Sequence, residues 1–393
     1  MGSVDWIVVG GGITGSALAY ELAKQGVSVL LLERHARLQG GTRFGYGGVA
    51  YWSGTTDLTR QLCREGVERL RGLSEELGTN IEFRELDLVL TISAESDAQA
   101  IAHSYAHFAI TPQLVDVKTA CELEPLLNPV ELAGALTVKH GHVHLGKMTS
   151  AYRNAFVRLG GRVHIGEVTT LLRDRFHSRR IVGVACGDEA FHASNVVICA
   201  GAMGRALLKA SGISVPLYFT HAELIETPPV ELTLRSLVMP AETKRFELEA
   251  EASKAETDHL WDEPGHEPTP PILDAGAIQF LDGSLRIGQV SRTLTDPNAP
   301  IDTTLSEQTM RNKIAAVIPA FKKVPGTWHR CLVSFSRDRL PLIGAIPNLE
   351  GIHLFSGFSN PLAITPSLAQ RFAKATVHQP DELLEQVSPT RFA

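Results

Sequence analysis

The first residues able to do chemistry form a glycine-rich turn near the N-terminus. Gly10, Gly12 and Gly15 have the spacing G-x-G-x-x-G. At this spacing the first glycine allows a tight turn, the second lets the backbone approach a pyrophosphate, and the third lets the following helix pack closely. The helix N-terminus offers unpaired N–H groups to phosphates. Glu33 is placed to accept hydrogen bonds from a ribose. These residues predict a dinucleotide site.

The elements around this turn agree with that prediction. Residues 6–9 are apolar, residues 16–24 have helical periodicity, and residues 27–32 form a second apolar run that ends at Glu33. Strand, glycine turn, helix, strand and acid follow one another in the order typical of a dinucleotide-binding domain. FAD and NAD sites share this order, so the motif alone does not separate them.

The stretch that follows the acid favours FAD. An NAD-binding domain would continue as regular βαβ units. Residues 38–48 are instead a long glycine-rich loop, which suits backbone amides laid along a diphosphate or a flavin ring. Residues 160–165, 168–172 and 181–185 then predict short strands of a meander, which leads to a buried strand in residues 195–202.

With these features in place, the sequence resembles the superfamily of FAD-dependent D-amino-acid, glycine and sarcosine oxidases. Beyond the N-terminal turn, the resemblance rests on residues 42–48, 140–145, 197–201, 338–344 and 357–363. It implies a mixed α/β fold with a Rossmann-like FAD-binding domain on a parallel central sheet, interleaved with a substrate domain on a mostly antiparallel sheet. The expected bounds are 1–82, 139–217 and 325–393 for the FAD-binding domain, and 83–138 and 218–324 for the substrate domain, with an acidic insertion at 242–268.

The resemblance also implies which residues hold FAD. In that family the segment that begins at Gly357 opens a helix whose N-terminus faces the flavin pyrimidine ring, where a helix dipole stabilises the negative charge of a reduced flavin. The cofactor-binding residues expected on this basis are Gly10, Gly12, Ile13, Thr14, Gly15, Glu33, Arg34, Thr42, Arg43, Gly47, Gly48, Val168, Ala200, Gly201, Cys331, Arg337, Gly357, Phe358, Ser359 and Asn360.

Cys331 raises the question of a covalent cofactor. It lies seven residues before Asp338, which matches the position at which sarcosine oxidases link their flavin through a thioether. One interpretation is FAD bound covalently through Cys331. The other is a small cysteine buried in a strand, because free cysteine commonly behaves as a buried hydrophobe.

Four residues are expected near the reacting atoms. Arg286 resembles the position of an oxygen-activating lysine in sarcosine oxidases, where a fixed cation favours superoxide formation; otherwise it is an exposed arginine after an Asp-Gly turn. His221 is expected either to contact substrate and lower an amine's pKa, or to be a partly exposed strand histidine. Tyr51 and Trp52 are expected either to wall the active face of the flavin or to belong to the core.

Two positions depart from the family pattern. Where amino-acid oxidases hold the substrate carboxylate with an arginine, this chain has Val333, and where sarcosine oxidases use a lysine it has Ile364. A bidentate Arg–carboxylate pair is hard to replace. Either the substrate is therefore an amine without a free α-carboxylate, or another cation takes over. The candidates for that cation are Arg337, Arg339 and Arg43.

The acidity of the chain comes from one segment. The 393 residues hold 37 Lys+Arg and 43 Asp+Glu, a formal net charge of −6 and no basic excess for binding nucleic acid. Residues 242–268 hold nine acids and three bases, which accounts for the same −6. We interpret this segment as a solvated excursion. The alternative is a lid or docking element, with Phe246, Leu260 and Trp261 as its contacts.

Cysteine usage and apolar runs set expectations about the compartment. Five cysteines without a C-x-x-C pair suggest neither a disulfide framework nor a zinc site, and favour a reducing cytoplasm. Residues 1–5 leave no room for a signal peptide, and the apolar runs are far shorter than the roughly 20 residues of a membrane span. His140, His142 and His144 alternate, but no neighbouring acid or cysteine completes a metal site, and no metal is expected.

The resemblance implies an FAD-dependent enzyme. We expect it to oxidise the C–N bond of a small-molecule amine or amino-acid derivative by hydride transfer to flavin N5, with O2 as the acceptor. One alternative is a dehydrogenase of the same fold that passes electrons to a quinone or a partner protein. Another is a catalytically silent flavin-binding subunit.

Overall fold

The computed structural model describes residues 3–359, 361–378 and 380–392. Its strands are β1 (Val4–Val9), β2 (Val29–Glu33), β3 (Gly48–Val49), β4 (Arg84–Ser93), β5 (Gln113–Val115), β6 (Leu132–His142), β7 (Arg162–Ile165), β8 (Thr170–Arg173), β9 (Ile181–Cys186), β10 (Glu189–Ile198), β11 (Leu217–Glu226), β12 (Leu237–Pro240), β13 (Ile272–Gln279), β14 (Leu285–Arg292), β15 (Thr327–Ser336), β16 (Leu342–Ala345) and β17 (Ile352–Ser356).

The α-helices are α1 (Ile13–Lys24), α2 (Gly40–Phe44), α3 (Asp57–Leu77), α4 (Ala98–Ser104), α5 (Val117–Leu123), α6 (Leu145–Arg158), α7 (Gly204–Ala210), α8 (Arg245–Ala252), α9 (Thr303–Val317), α10 (Thr365–Ala375) and α11 (Glu382–Gln386). Short 3-10 helices cover Pro129–Glu131, Gly201–Met203, Asp258–Asp262, Pro319–Lys323 and Pro389–Phe392. Across these described residues, no helix combines the length and the apolar character needed to cross a membrane.

The first sheet, sheet A, is built around parallel strands. Within the described residues it has eight strands, and its main path runs in the order β16, β17, β10, β1, β2, β7. The strands from β17 to β7 pair in parallel, and β16 pairs antiparallel with β17. β8 and β9 form an antiparallel meander on β10. The expected parallel central sheet is confirmed.

The structure corrects the expected place of β7. The sequence predicts residues 160–165 as part of the meander, whereas Leu30 of β2 pairs in parallel with Arg162 of β7. The physical reason is helix α6, which precedes β7 and packs on α1, so the chain returns to the sheet through a helical crossover.

Both faces of sheet A are covered. Helices α1, α3, α6 and α10 cover one face, and α7 with the meander covers the other. Ile7 and Val8 point to opposite faces of β1, and both are fully buried. Burial on both faces explains why strands of a parallel sheet appear in the sequence as continuous apolar runs.

Glycines fix the junction between β1 and α1. Gly10 has a φ of +103°, a conformation that side chains with a Cβ rarely adopt. A Cβ at Gly15 would lie only 1.9 Å from the carbonyl oxygen of Gly10. The helix therefore starts directly on the end of the strand, as the sequence predicts.

The second sheet, sheet B, is mostly antiparallel. Within the described residues it has nine strands, in the order β15, β11, β14, β13, β12, β4, β6, β3, with β5 paired to β6. Only the β12–β4 pair is parallel among these strand pairs. The expected antiparallel sheet is confirmed. β15 belongs to it although it lies within 325–393, and the division of the chain into domains stays a prediction.

The acidic insertion packs onto sheet B. Leu248 and Trp261 are buried, and Trp261 Nε1 donates to the carbonyl oxygen of Ala252 at 2.8 Å. The Trp261 ring packs against Tyr218 and Phe335. Most of the acidic side chains face solvent while the apolar ones face the sheet. The buried Leu248 and Trp261 fit a docking element and the outward acids fit a solvated excursion, so the choice between the two interpretations stays a prediction.

Helix α3 packs closely at Gly66 against the segment that precedes α10. A Cβ at Gly66 would lie 1.8 Å from the carbonyl oxygen of Ala363, whereas a Cβ at Gly72, on the same helix, would meet nothing within 4 Å. Because the contact at Gly66 would be overpacked, Gly66→Ala should lower the free energy of unfolding by about 1–3 kcal/mol. Gly72→Ala should raise it by up to about 1 kcal/mol.

Denaturant unfolding followed by circular dichroism measures both variants. The packing would be contradicted by a Gly66→Ala variant that unfolds at the same midpoint as the wild type, while Gly72→Ala serves as the matched control for helix propensity.

Candidate active site

A single large cavity runs from the N-terminus of α1 to the face of sheet B. Its volume is about 1120 Å³, which exceeds the roughly 300–1000 Å³ of a usual small-molecule pocket. Its walls come from the ends of β1, β2 and β10, from residues 38–48, from strands of sheet B, and from residues 242–247 of the insertion. A cavity of this size and length can hold a dinucleotide together with a small substrate.

The start of α1 forms a cradle at one end of the cavity. Gly10, Gly12, Ile13 and Thr14 line it. The Ile13 amide donates to Thr42 Oγ1 at 3.1 Å, and the other first amides of the helix have no partner within the helix itself. Such amides and the positive end of the helix dipole fit a phosphate group.

Glu33 lies beside this cradle at the end of β2. Its Oε2 accepts from the Gly11 amide at 2.7 Å, and its Oε1 accepts from the His35 amide at 3.0 Å. These bonds fix the carboxylate and leave lone pairs free for ribose hydroxyls. Arg34 and Val168 line the same end of the cavity.

The glycine-rich loop forms the next part of the wall. Thr42, Gly47 and Gly48 line the cavity. Gly47 has a φ of +78°, and a Cβ there would lie 2.1 Å from the Val143 carbonyl oxygen. Only glycine therefore lets the loop lie flat on β6, which leaves a smooth surface suited to a planar ring.

Arg43 and Arg286 lie behind this loop and outside the cavity lining. Arg43 forms a bidentate pair with Glu226, at 2.6 and 2.7 Å. Arg286 is buried and donates to the carbonyl oxygens of Arg43, at 2.9 Å, and of Gly45. Arg286 also contacts Glu226 at 3.3 Å. Both cations thus hold the loop, and a role of Arg286 in oxygen activation stays a prediction with no cavity contact to support it.

The opposite walls carry further expected residues. Ala200 and Gly201 line the cavity after β10, and Phe358 and Ser359 line it after β17. Asn360 lies outside the described residues.

Besides Arg43, three further expected cofactor-binding residues do not line the cavity. Gly15 packs against Gly10, and Gly357 lies behind the wall with a φ of +80°. Arg337 donates to Tyr218 Oη and to the Ser253 carbonyl oxygen, each at 3.1 Å. A contact of these three residues with FAD stays a prediction.

Cys331 lies on the cavity wall. It is 5% exposed and, with Val333, belongs to the face of β15 that borders the cavity. Burial raises the pKa of the Cys331 thiol to about 12, which the positive charges of Arg245 and Arg286 oppose. Cys331 therefore borders the cavity, and a covalent link to FAD stays a prediction.

His221 points away from the cavity. Its neighbours Ala222 and Leu224 line the cavity, and strand alternation puts His221 on the opposite face of β11. There His221 Nε2 lies 3.2 Å from the Leu294 carbonyl oxygen, and burial lowers the pKa of the ring to about 4. A substrate contact from His221 does not fit this geometry.

Tyr51 also points away from the cavity, whereas Trp52 lines it. Tyr51 Oη donates to Glu85 at 2.8 Å near the protein surface. Trp52 is buried, and its Nε1 donates to His140 Nδ1 at 3.0 Å. Burial lowers the pKa of His140 to about 3, so this ring stays neutral. Within the described residues, no group of His, Cys, Asp or Glu side chains could hold a metal ion.

Sequence reasoning missed the apolar end of the cavity. Its lining there comes from three parts of the chain that are distant in sequence, and includes Leu88, Leu90, Tyr105, Phe108, Leu237 and Met239. Leu88 and Leu90 share a face of β4, and this alternation is the one signal that could have indicated them. The alternation on β4 does not indicate the lining residues that come from the other two parts of the chain.

Sequence reasoning also missed Arg245, the first residue of α8. It lines the cavity with a side chain that is 15% exposed, and its Nε donates to Glu249 Oε1 at 2.7 Å. The sequence does not show how the insertion packs on sheet B, so it could not predict that Arg245 lines the cavity.

Taken together, the cavity fits FAD. The cradle at α1 and the carboxylate of Glu33 suit a pyrophosphate and a ribose, the flat loop at Gly47 suits a ring system, and the apolar end suits a small substrate.

Known proteins agree with this assignment. A family model described as "DAO: FAD dependent oxidoreductase" matches residues 5–375. Human mitochondrial sarcosine dehydrogenase is 26% identical over 234 residues, which are 57% of this chain and 25% of that protein. The 4-methylaminobutanoate oxidase (formaldehyde-forming) of Paenarthrobacter nicotinovorans is 28% identical over 221 residues, 55% of this chain and 26% of that protein. The matches thus span about a quarter of the length of these two relatives.

Among solved structures, glycine oxidase from Geobacillus kaustophilus superimposes with a TM-score of 0.79 at 20% identity, over 100% of this chain and 99% of that one. At this identity the likeness shows the fold. The family match covers most of the chain, and the chain therefore belongs to the DAO family of FAD-dependent oxidoreductases, with FAD as its cofactor.

Proposed function

We propose that the enzyme oxidises the C–N bond of a small amine or amino-acid derivative to an imine, with O2 as the electron acceptor. The observation that carries this proposal is the continuity of the cavity, which joins the cradle at Gly10–Thr14 to an apolar pocket on sheet B. FAD, when bound, supplies a hydride acceptor for the carbon next to nitrogen. The chain's own residues position the substrate and exclude water.

The relatives support an amine as the substrate. Sarcosine and 4-methylaminobutanoate, in the names of two relatives, are both secondary amines. In this chain the apolar lining favours the neutral form of a bound amine, because burial penalises a charged ammonium group. His140 is neutral for the same reason. A neutral amine can lose hydride without a strong base at the site.

The residues that line the cavity near Gly10–Thr14, Glu33, Thr42–Gly48 and Phe358–Ser359 are proposed to hold FAD. The division into an FAD-binding domain and a substrate domain belongs to the same proposal. It is supported by the separation of sheets A and B, because the cavity lies where the two sheets meet.

Anaerobic titration tests the reaction class. Amines should bleach the visible absorbance of the bound flavin, while 2-hydroxy acids of the same carbon skeleton, as matched controls, should leave it unchanged. Admission of O2 should restore the colour and release hydrogen peroxide, because hydride transfer yields a reduced flavin that O2 reoxidises. Flavin that no amine bleaches would contradict the proposal.

The same titration distinguishes the electron acceptor. The sarcosine dehydrogenase relative favours a second candidate, in which electrons pass to another acceptor. Amine-bleached flavin that O2 reoxidises slowly and a quinone or dye reoxidises quickly would establish that candidate and overturn O2 as the acceptor.

The covalent link through Cys331 has its own test. Acid precipitation should leave a yellow pellet for the wild type and a colourless pellet for Cys331→Ala. A thioether keeps FAD attached to the denatured protein, whereas FAD that is held noncovalently is released into the supernatant. Cys186→Ala is the matched control, since Cys186 is buried outside the cavity lining. A colourless wild-type pellet, or a yellow Cys331→Ala pellet, would rule out the link.

A further inference from the structure

The cavity contains few fixed cations. Of the described residues that line it, four carry a guanidinium or ammonium group: Arg34, Lys244, Arg245 and Arg339. Arg34 lies at the end next to Glu33, and the side chains of Lys244 and Arg339 are exposed. Arg245 differs from them because it is 15% exposed and lies inside the cavity.

The structure orients the Arg245 side chain. Its Nε donates to Glu249 Oε1 at 2.7 Å, and Thr220 Oγ1 donates to the same oxygen at 3.0 Å. Glu249 is fully buried. One edge of the guanidinium is therefore fixed against β11.

Arg245 also lines the cavity, and its two Nη groups make few contacts with the protein. Arg245 Nη2 lies 3.4 Å from the Ser359 carbonyl oxygen, and this is a long contact. Among the described residues, no carboxylate other than Glu249 pairs with Arg245. The two Nη groups thus form an available planar fork, and this geometry matches a carboxylate bidentately.

The insertion holds this cation firmly in place. Asp274 Oδ1 accepts from the Lys244 amide at 3.2 Å, directly before α8 begins. At the other end of the insertion, Trp261 packs into the apolar cluster with Tyr218 and Phe335. A cation fixed from both sides loses little entropy when it binds an anion.

We propose that Arg245 binds the carboxylate of the substrate through its two Nη groups. This inference rests on the proposed function and names its substrate class: an amine that carries a carboxylate and an apolar substituent. The apolar substituent is accommodated by Leu88, Leu90, Leu237 and Met239 on the same cavity.

The geometry also decides between the cations that the sequence suggests for this role. Arg43 is paired bidentately with Glu226, and Arg337 is bonded to Tyr218 and Ser253 outside the cavity lining. Arg339 lines the cavity, but it is exposed to solvent. Arg245 combines burial and a fixed orientation with two Nη groups whose one protein contact in the described residues is the long one to Ser359.

Binding of isovalerate to the purified holoenzyme tests the proposal, with isovaleramide as the uncharged ligand of the same shape. Dissociation constants come from perturbation of the flavin spectrum and from calorimetry, without turnover. Isovalerate should bind at least about 10-fold more tightly than isovaleramide, because only the carboxylate accepts both Nη groups in charge-assisted bonds.

Variants locate the effect. Arg245→Gln should weaken isovalerate binding roughly 10- to 100-fold and leave isovaleramide binding unchanged. The affinity of Arg245→Lys for isovalerate should lie between those of the wild type and Arg245→Gln, because lysine keeps the charge but lacks the planar fork. Lys254→Gln is the matched control, because it removes a cation from the insertion outside the cavity lining and should bind as the wild type does.

A double variant distinguishes loss of the binding group from loss of folding. Arg245→Gln alone leaves Glu249 buried and unpaired, so Arg245→Gln/Glu249→Gln keeps the interior neutral and should show the same loss. Equal wild-type binding of isovalerate and isovaleramide would overturn the proposal, as would undiminished isovalerate binding in the double variant.

The outcomes separate this proposal from the proposed function. If amines bleach the flavin but isovalerate and isovaleramide bind alike, the Arg245 proposal fails and amine oxidation stands. If isovalerate binds through Arg245 but no amine bleaches the flavin, the carboxylate site stands and amine oxidation fails.

Discussion

The site depends on how two adjacent residues of the glycine-rich loop are held. Thr42 Oγ1 accepts from the Ile13 amide at the start of α1, and Arg43 pairs with Glu226 on β11 of sheet B. The loop is thus bonded to the nucleotide cradle on one side and to the antiparallel sheet on the other. Arg286 also holds the loop, because it donates to the carbonyl oxygens of Arg43 and Gly45. Burial lowers the pKa of its guanidinium, and the charge of Glu226 opposes that shift. Because these bonds fix the loop between the sheets, both sheets border one cavity instead of two separate pockets.

The acidic insertion has a role that its composition conceals. Its net charge of −6 equals that of the whole chain, and most of that charge lies on the solvent side. The side that faces the cavity carries Arg245, and the buried Glu249 holds this cation in place. An ion pair of this kind contributes little net stability once desolvation is included, but it defines a geometry. The segment that makes the chain acidic is therefore the one that brings the cation of Arg245 to the cavity wall.

Local patterns predicted the glycine turn where we propose that the nucleotide binds, whereas the apolar end of the cavity becomes visible only in the folded chain. The turn from Gly10 to Gly15 can be predicted from the sequence because its chemistry is contained in a few consecutive residues. The parallel sheet can be predicted because its strands are fully apolar. His221 lies on a strand that borders the cavity, but on the face turned away from it. The sequence left a substrate contact and a simple strand position both open, because a strand's register decides which face each side chain occupies. Arg245 could not be found at all, since its position depends on contacts between the insertion and Thr220, 25 residues earlier in the chain.

We expect one cavity to hold FAD at the α1 end and substrate beneath the inserted helix α8. A crystal structure of the oxidised holoenzyme would show both places at once. In that structure the pyrophosphate should lie at the N-terminus of α1, and the isoalloxazine ring should lie between the loop at Gly47 and Cys331 of β15, with open space between the ring and Arg245. A ring located away from β15, or one that fills the space beneath α8 and leaves no room for substrate, would contradict this expectation.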